Sequence, residues 1–183
     1  NKEKLKTNCS NEEFLRKSEI KICIKKDCLE NINRIDELIH RTNQLNFTKK
    51  RDSKEDLKKY FEDKSTYDSA YIIAEDKYGS YGICGFYVLN KTCKTLEHFL
   101  FSCRIMNMGI EDFVFSYLEK PHINIVLPVS SFLGGTSNWI KLVDNLDLKP
   151  IEVKKQASIN ILFKGACDLY SVINYISGDC NID

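Results

Sequence analysis

From Asn31 onward, apolar side chains recur at helical spacing. Ile32, Ile35, Leu38 and Ile39 fall on one face, with Arg34, Glu37 and Arg41 elsewhere. That period predicts an amphipathic helix over 31–45. Ser53-Lys54-Glu55-Asp56 announces a second helix: the Ser caps amides one turn in, and the acids suit the positive end of the helix dipole. Leu57, Tyr60 and Phe61 supply its buried stripe. The pattern then changes to Tyr- and Ile-rich runs over 69–75, 81–89 and 95–104, separated by Asp76-Lys77-Tyr78-Gly79 and Asn90-Lys91-Thr92. Three strands joined by short turns form an antiparallel meander.

Beyond the meander the chain turns through Asn107-Met108-Gly109 into a predicted helix over 110–118, with Phe113, Val114 and Leu118 inward. Residues 123–129 are nearly all apolar and predict a central strand. A helix is expected over 138–146, burying Ile140, Leu142 and Val143. Strands follow near 151–154 and 158–164, then a turn at Gly165-Ala166-Cys167-Asp168 and a short helix over 169–176. The first 30 residues are polar and charged, save Phe14-Leu15 and the alternation Ile20-Lys21-Ile22-Cys23-Ile24, which predicts a short strand. The order of elements is that of an α/β protein with a mixed, largely antiparallel sheet flanked by helices. The expected divisions are 1–30 as the end of a preceding domain, 31–156 as the folded domain, and 157–183 as a last strand with a strand-turn-helix appendage. A competing reading makes that tail the opening of a further α/β domain, similar to that of SGNH-type hydrolases, with Cys167 where their Ser stands.

Composition narrows the function. Hydrophobic residues make up 43% of the 183 positions, and Lys plus Arg (27) nearly balance Asp plus Glu (26). Such a chain can bury a core, and it lacks the large basic excess of a nucleic-acid binder. Basic side chains outnumber acidic ones only in the first third. No apolar run reaches the roughly 18–20 residues that span a bilayer. The start, Asn1-Lys2-Glu3-Lys4-Leu5-Lys6, has no apolar core of a secretory leader, so the chain is expected to be a cytoplasmic piece of a longer protein. Eight cysteines without a paired CxxC, and three scattered histidines, do not point to zinc; reduced thiols are the expectation.

Chemistry is best placed at Phe101-Ser102-Cys103-Arg104-Ile105-Met106-Asn107-Met108-Gly109-Ile110, where a strand turns tightly into a helix. The first amides of that helix lack partners and, with the dipole, suit an anion; Glu111-Asp112 answer the same dipole without any ligand. A following strand that splays from the meander would open a cleft beside this turn. Cys103 is expected to be a small buried hydrophobe, and His98 and His122 structural, with no carboxylate positioned beside either. Glu97 is the candidate base. Lys49-Lys50-Arg51 forms either a solvated loop or a contact for an acidic partner. The amides of Arg41-Thr42-Asn43-Gln44 are expected to cap turns.

These residues carry a resemblance. The meander, a turn of pattern R-x-x-G-x-G, a helix and a splayed strand resemble the acetyl-CoA pyrophosphate site of the GCN5-related N-acetyltransferase (GNAT) fold. Asn33-Arg34-Ile35 with Leu38-Ile39-His40-Arg41-Thr42-Asn43-Gln44-Leu45-Asn46-Phe47-Thr48-Lys49-Lys50-Arg51 is similar to the "RTNQFN-T-R" signature of FkbH-like proteins. Phe101-Ser102-Cys103-Arg104-Ile105-Met106 with Gly109-Ile110-Glu111 resembles their "LSCRVLGRGVE", and Asp76-Lys77-Tyr78-Gly79 with Gly82-Ile83-Cys84-Gly85 their D-x-F-G-x-x-G run. The likeness spans roughly residues 12–150.

The resemblance implies a GNAT-like domain that follows a haloacid-dehalogenase-type domain, whose D-x-D-x-T/V motif this chain lacks. It implies handling of a phosphopantetheine thioester, on coenzyme A (acetyl-CoA among its forms) or on an acyl carrier protein, in polyketide or related biosynthesis. Carried across, Arg104, Ile105, Met106, Asn107, Met108, Gly109 and Ile110 hold pyrophosphate, and Asn138 lines the thiol end. Asn107 stands at the first glycine, and Asn tolerates left-handed backbone. In the N-x-x-A…F-Y-E-K-L-G-F frame, Val143 replaces the general-acid Tyr and Asp147 the Gly. A valine cannot protonate a thiolate, a loss that commonly costs about 10²–10⁴ in rate. Binding is therefore preferred over acyl transfer, with an N- or O-acetyltransferase as the alternative.

Overall fold

The computed structural model describes residues 11–146 and the backbone of 159–161 and 180–182. Its elements run α1 (Asn11–Lys17), β1 (Lys21–Lys25), α2 (Ile32–Arg41), α3 (Lys54–Glu62), β2 (Tyr67–Asp76), β3 (Gly79–Asn90), β4 (Thr95–Phe101), a 3-10 turn (Cys103–Ile105), α4 (Ile110–Tyr117), β5 (His122–Ile123) and β6 (Lys141–Leu142). The strands form one six-stranded sheet in the order β5-β4-β3-β2-β1-β6. The pairs β1–β2, β2–β3 and β3–β4 are antiparallel, while β4–β5 and β1–β6 are parallel. The expected mixed, largely antiparallel α/β architecture is what the chain adopts.

Strand alternation sorts the side chains into two cores. Tyr71, Ile73, Phe86, Val88 and Leu100 face Ile35, Leu38, Ile39, Leu57 and Phe61 of α2 and α3. Ile22, Ile72, Ala74, Tyr87, Phe99 and Phe101 face the opposite way, toward Ile105, Ile110 and Val114 around α4. The sheet is thus a middle layer, buried on both sides, which suits its Tyr-, Ile- and Phe-rich strands. Gly85 lets the strands pack closely: a β-carbon there would lie 2.5 Å from the Phe101 ring.

Several boundaries move. The helix expected over 31–45 ends at Arg41, because Thr42 turns to extended backbone. Strand β4 stops at Phe101, since the Ser102 side chain accepts from the Arg104 amide and starts a 3-10 turn. The central strand expected over 123–129 is only the edge pair His122–Ile123. Ile125, Val126 and Leu127 are exposed, the last at 72%, so an apolar run here marks a surface rather than a buried centre. The helix expected over 138–146 does not form. The Lys141 and Val143 amides instead donate to the carbonyls of Ile20 and Ile22, adding β6 to the sheet edge.

Of the stretch expected to precede the domain, the described part from Leu15 to Lys25 packs with it. Strand β1 lies inside the sheet, and Leu15, Ile20 and Ile22 belong to the core. Helix α1 was missed because its single buried residue, Leu15, leaves almost no periodic signal; the pairs Glu12–Arg16 and Glu13–Lys17 run along its surface. In the tail, β7 (Ile159–Ile161) pairs in parallel with β8 (Cys180–Ile182) as a sheet of its own, so the expected strand over 158–164 does not extend the main sheet. The strand expected near 151–154, the turn with Cys167 and the helix over 169–176 lie outside the described residues.

Candidate functional site

The turn after β4 has the backbone that its sequence suggests. Asn107 and Gly109 both adopt left-handed φ angles, +65° and +77°. Asparagine's tolerance for this region lets it stand where a glycine was expected. Ile105, Met108 and Ile110 turn into the core, so among 104–110 Asn107 is the exposed side chain. The Arg104 guanidinium folds back: Nε donates to Ser102 Oγ at 3.2 Å and Nη2 to the Ile83 carbonyl at 3.4 Å. Cys103 is exposed, contrary to expectation, because it opens the 3-10 turn instead of continuing the strand.

The start of α4 is covered by the chain itself. Asp112 Oδ1 accepts from the amides of Gly134 and Gly135 at 2.8 and 3.1 Å. Trp139 Nε1 donates to the Met108 carbonyl at 2.8 Å. A β-carbon on Gly109 would meet Ser137 Oγ at 3.0 Å and the Trp139 ring at 3.1 Å. Introducing a glutamate at Gly109 would thus distort the turn whether or not phosphate binds there. Asn138, expected at the thiol end of a cofactor, instead accepts from Arg16 of α1 at 2.7 Å.

Glu111, also in the first turn of α4, is 2% exposed; its Oε1 accepts from Ser131 Oγ at 2.7 Å. Its Oε2 has no partner among the described residues. Burial pushes this carboxyl above the usual carboxylate range. A raised folded pKa contributes stability below the unfolded value of about 4.5, which is lost as pH rises through the folded pKa. Glu111→Gln should therefore raise the melting temperature at pH 7.5 and leave it unchanged near pH 4, as thermal melts at the two pH values would show. Equal melting at both would mean the carboxylate is not desolvated.

The cleft expected between β4 and the next strand is filled. β5 pairs with β4 only at Thr95 and Leu96, then departs. Beyond that point the same edge of β4 is taken by residues 45–47. Phe101 N–H donates to the Leu45 carbonyl at 2.9 Å, and Phe47 N–H to the Phe99 carbonyl at 3.0 Å. On its other side this segment accepts from the departing chain, Val126 N–H to Phe47 O at 2.8 Å and Ser130 N–H to Gln44 O at 2.9 Å. Phe47 is fully buried, its ring 5.4 Å from that of Phe99. Asn46, also fully buried, accepts from the Lys49 amide at 2.8 Å and holds the turn that follows.

The remaining candidates converge on that segment. Glu97 is skipped in the β3–β4 register, where Val88 faces His98 and Leu89 faces Leu96, and it forms an ion pair with Lys50. One candidate base and one candidate partner-binding cation thus meet each other. Arg51 donates to the carbonyls of Ile39 (2.7 Å), His40 and Thr42 (3.1 Å), closing the C-terminus of α2. Lys49 Nζ reaches the Asn43 carbonyl. Burial, and then the charge of Arg51, pull its ammonium below the ordinary lysine value. Lys49 and Arg51 are therefore bonded to neutral carbonyls and have no ion-pair partner among the described residues, whereas Lys50 is paired with Glu97.

His98, fully buried, does have a carboxylate beside it. Its Nε2 donates to Asp52 Oδ2 at 3.0 Å, and Tyr60 Oη donates to the same oxygen at 3.0 Å. Sequence reasoning missed Asp52 because it precedes α3 and lies 46 positions from its histidine. Of the three, only His98 is fully buried; Asp52 and Tyr60 are partly exposed. No helix among the described residues is long and apolar enough to cross a membrane. No protein-family model matches the chain, and no curated protein or solved structure matches it.

Proposed function

We propose that this chain is a GNAT-like domain of the FkbH-like type that docks a phosphopantetheine-bearing acyl carrier protein without itself transferring the acyl group. The order of β1, two helices, the β2–β3–β4 meander, the Asn107–Gly109 turn, α4 and a parallel β5 supports the GNAT-like frame. The observation that carries docking is the surface where residues 44–51 meet 125–130. There the exposed apolar Ile125, Val126 and Leu127 run beside the segment that leads to Lys49 and Arg51, two cations without an ion-pair partner among the described residues. An apolar ridge next to positive charge suits an acidic helix with an apolar stripe, with charge guiding approach and apolar contact supplying affinity. Free acetyl-CoA is less well served. The segment 44–47 already bonds the edge of β4, and Asp112 with its glycine partners closes the start of α4. Glu97, paired with Lys50, is not placed as a base.

Calorimetric titration with holo-carrier protein and, separately, with acetyl-CoA tests the reading. Carrier protein should bind, and Lys49→Glu should weaken it about tenfold or more while the melting temperature stays within a degree or two. Acetyl-CoA should not bind at comparable concentration. Tight binding of acetyl-CoA with no response to Lys49→Glu would replace docking by the acyltransferase alternative.

A further inference from the structure

A cavity of about 310 Å³ opens on the face of the sheet that carries α3, and none of its lining residues belongs to the surface described above. It lies where β1 has ended. The pairing of β1 with β2 stops at Lys25–Tyr71, so residues 67–70 of β2 run on along the cavity without a β1 partner. Its floor contains Phe61 and Cys28, both buried, and Ser69. The Tyr60 and Tyr67 rings, packed edge to face at 4.9 Å, form a wall. Burial pushes the Cys28 thiol up to about 12, so it offers a neutral, apolar surface and not a nucleophile.

Three exposed lysines surround the mouth, and their charges are unequally matched. Lys26 pairs with Asp68 at 2.7 Å. Lys91 bonds only the neutral Lys64 carbonyl, at 2.6 Å, and Lys64 has no ion-pair partner among the described residues. Two ammonium charges with no paired acid among the described residues therefore stand beside the Phe61 and tyrosine surface. At that floor Ser69 Oγ is buried and has no hydrogen-bond partner among the described residues, an unfavourable condition that a bound polar group would relieve.

We propose that this cavity binds a small phosphate monoester with an apolar body. The phosphate, carrying about −1.5 to −2 at neutral pH, would sit between Lys64 and Lys91. The organic part would lie against Phe61 and the tyrosine pair, with a hydroxyl or carbonyl meeting Ser69. A single carboxylate would leave one lysine unmatched, and inorganic phosphate would leave the floor empty. The Lys26–Asp68 pair would frame the mouth without adding net charge.

Phenyl phosphate is a direct probe, followed by calorimetry and by the phosphorus NMR signal. It should bind saturably, and more tightly than benzoate, phenol or inorganic phosphate. Lys64→Ala should weaken it about tenfold, and the double variant with Lys91→Ala further. Ser69→Ala tests the floor: melting without ligand should not fall, while affinity for a hydroxylated ester such as 4-hydroxyphenyl phosphate should. Absence of saturable binding, equal affinity for benzoate or inorganic phosphate, or undiminished binding in the double lysine variant would each overturn the proposal. Lys49→Glu should leave phenyl phosphate binding unchanged, so the cavity and the docking surface fail or succeed separately.

Discussion

Phe47→Ala should destabilise the domain by about 3–5 kcal/mol, the usual loss when a fully buried phenylalanine is truncated. The ring is packed against Phe99 and lies in the segment that takes the β4 edge after β5 departs. Its removal leaves a void beside Phe99 and loosens the tie to Val126. Since a domain is held by only about 5–15 kcal/mol in total, the urea midpoint should fall sharply. Phe132→Ala, at a side chain 88% exposed, is the matching control and should shift stability by less than about 0.5 kcal/mol. A loss under about 1 kcal/mol for Phe47→Ala would mean that residues 44–47 rest on the sheet without closing it. The expected pattern ties the RTNQ-like run to architecture: Leu45 and Phe47 dock on β4, Asn46 turns the chain, and Arg51 caps α2.

Asp52→Ala should cost roughly 2–4 kcal/mol, because it strips the acceptor from two donors at once, His98 Nε2 and Tyr60 Oη. Asp52→Asn, which keeps an oxygen in place, should recover most of that loss. The pH dependence follows from the histidine. Burial lowers the His98 pKa below the ordinary value of 6.5, outweighing the Asp52 carboxylate that favours the charged ring. The folded state then binds fewer protons than the unfolded state near pH 6. Stability is therefore complete above about pH 6.5 and is lost as pH falls through the folded pKa. Melting curves from pH 8 to pH 5 should decline on the acid side, and His98→Phe should flatten that decline. A flat wild-type profile over this range would show that the ring ionises as freely in the fold as outside it. Glu111 acts with the opposite sign and at a separate site, so the two substitutions distinguish them.

Much of this architecture is legible in local pattern. The 3.6-residue stripe of α2, the Ser53 cap of α3, and the alternation and turns of the β2–β3–β4 meander all depend on neighbours within a few positions. The left-handed turn at Asn107 and Gly109 was legible for the same reason, since φ preference belongs to the residue itself. Residues 123–129 and 138–146 were misread because apolar content alone does not say which edge a segment will find. His122–Ile123 pairs with β4 for two positions before the ridge turns outward, and Lys141–Leu142 meets β1.

The site shows the same division. Residue types marked Arg104, Asn107, Glu97 and the 49–51 cations as bearers of chemistry. Only long-range contacts decided that Lys50 neutralises Glu97, that Arg51 closes α2, and that Asp112 holds the loop over α4. The sequence by itself determined the α/β class, the meander and the turn that follows it, because those rest on backbone propensity and short-range periodicity. The tertiary structure alone decided that the gap beside β4 is filled from within, that Asp52 pairs with His98, and that Lys64 and Lys91, without an ion-pair partner among the described residues, stand beside one cavity. Each of those depends on which distant backbone edges and charges are brought together, and a one-dimensional pattern does not encode that pairing.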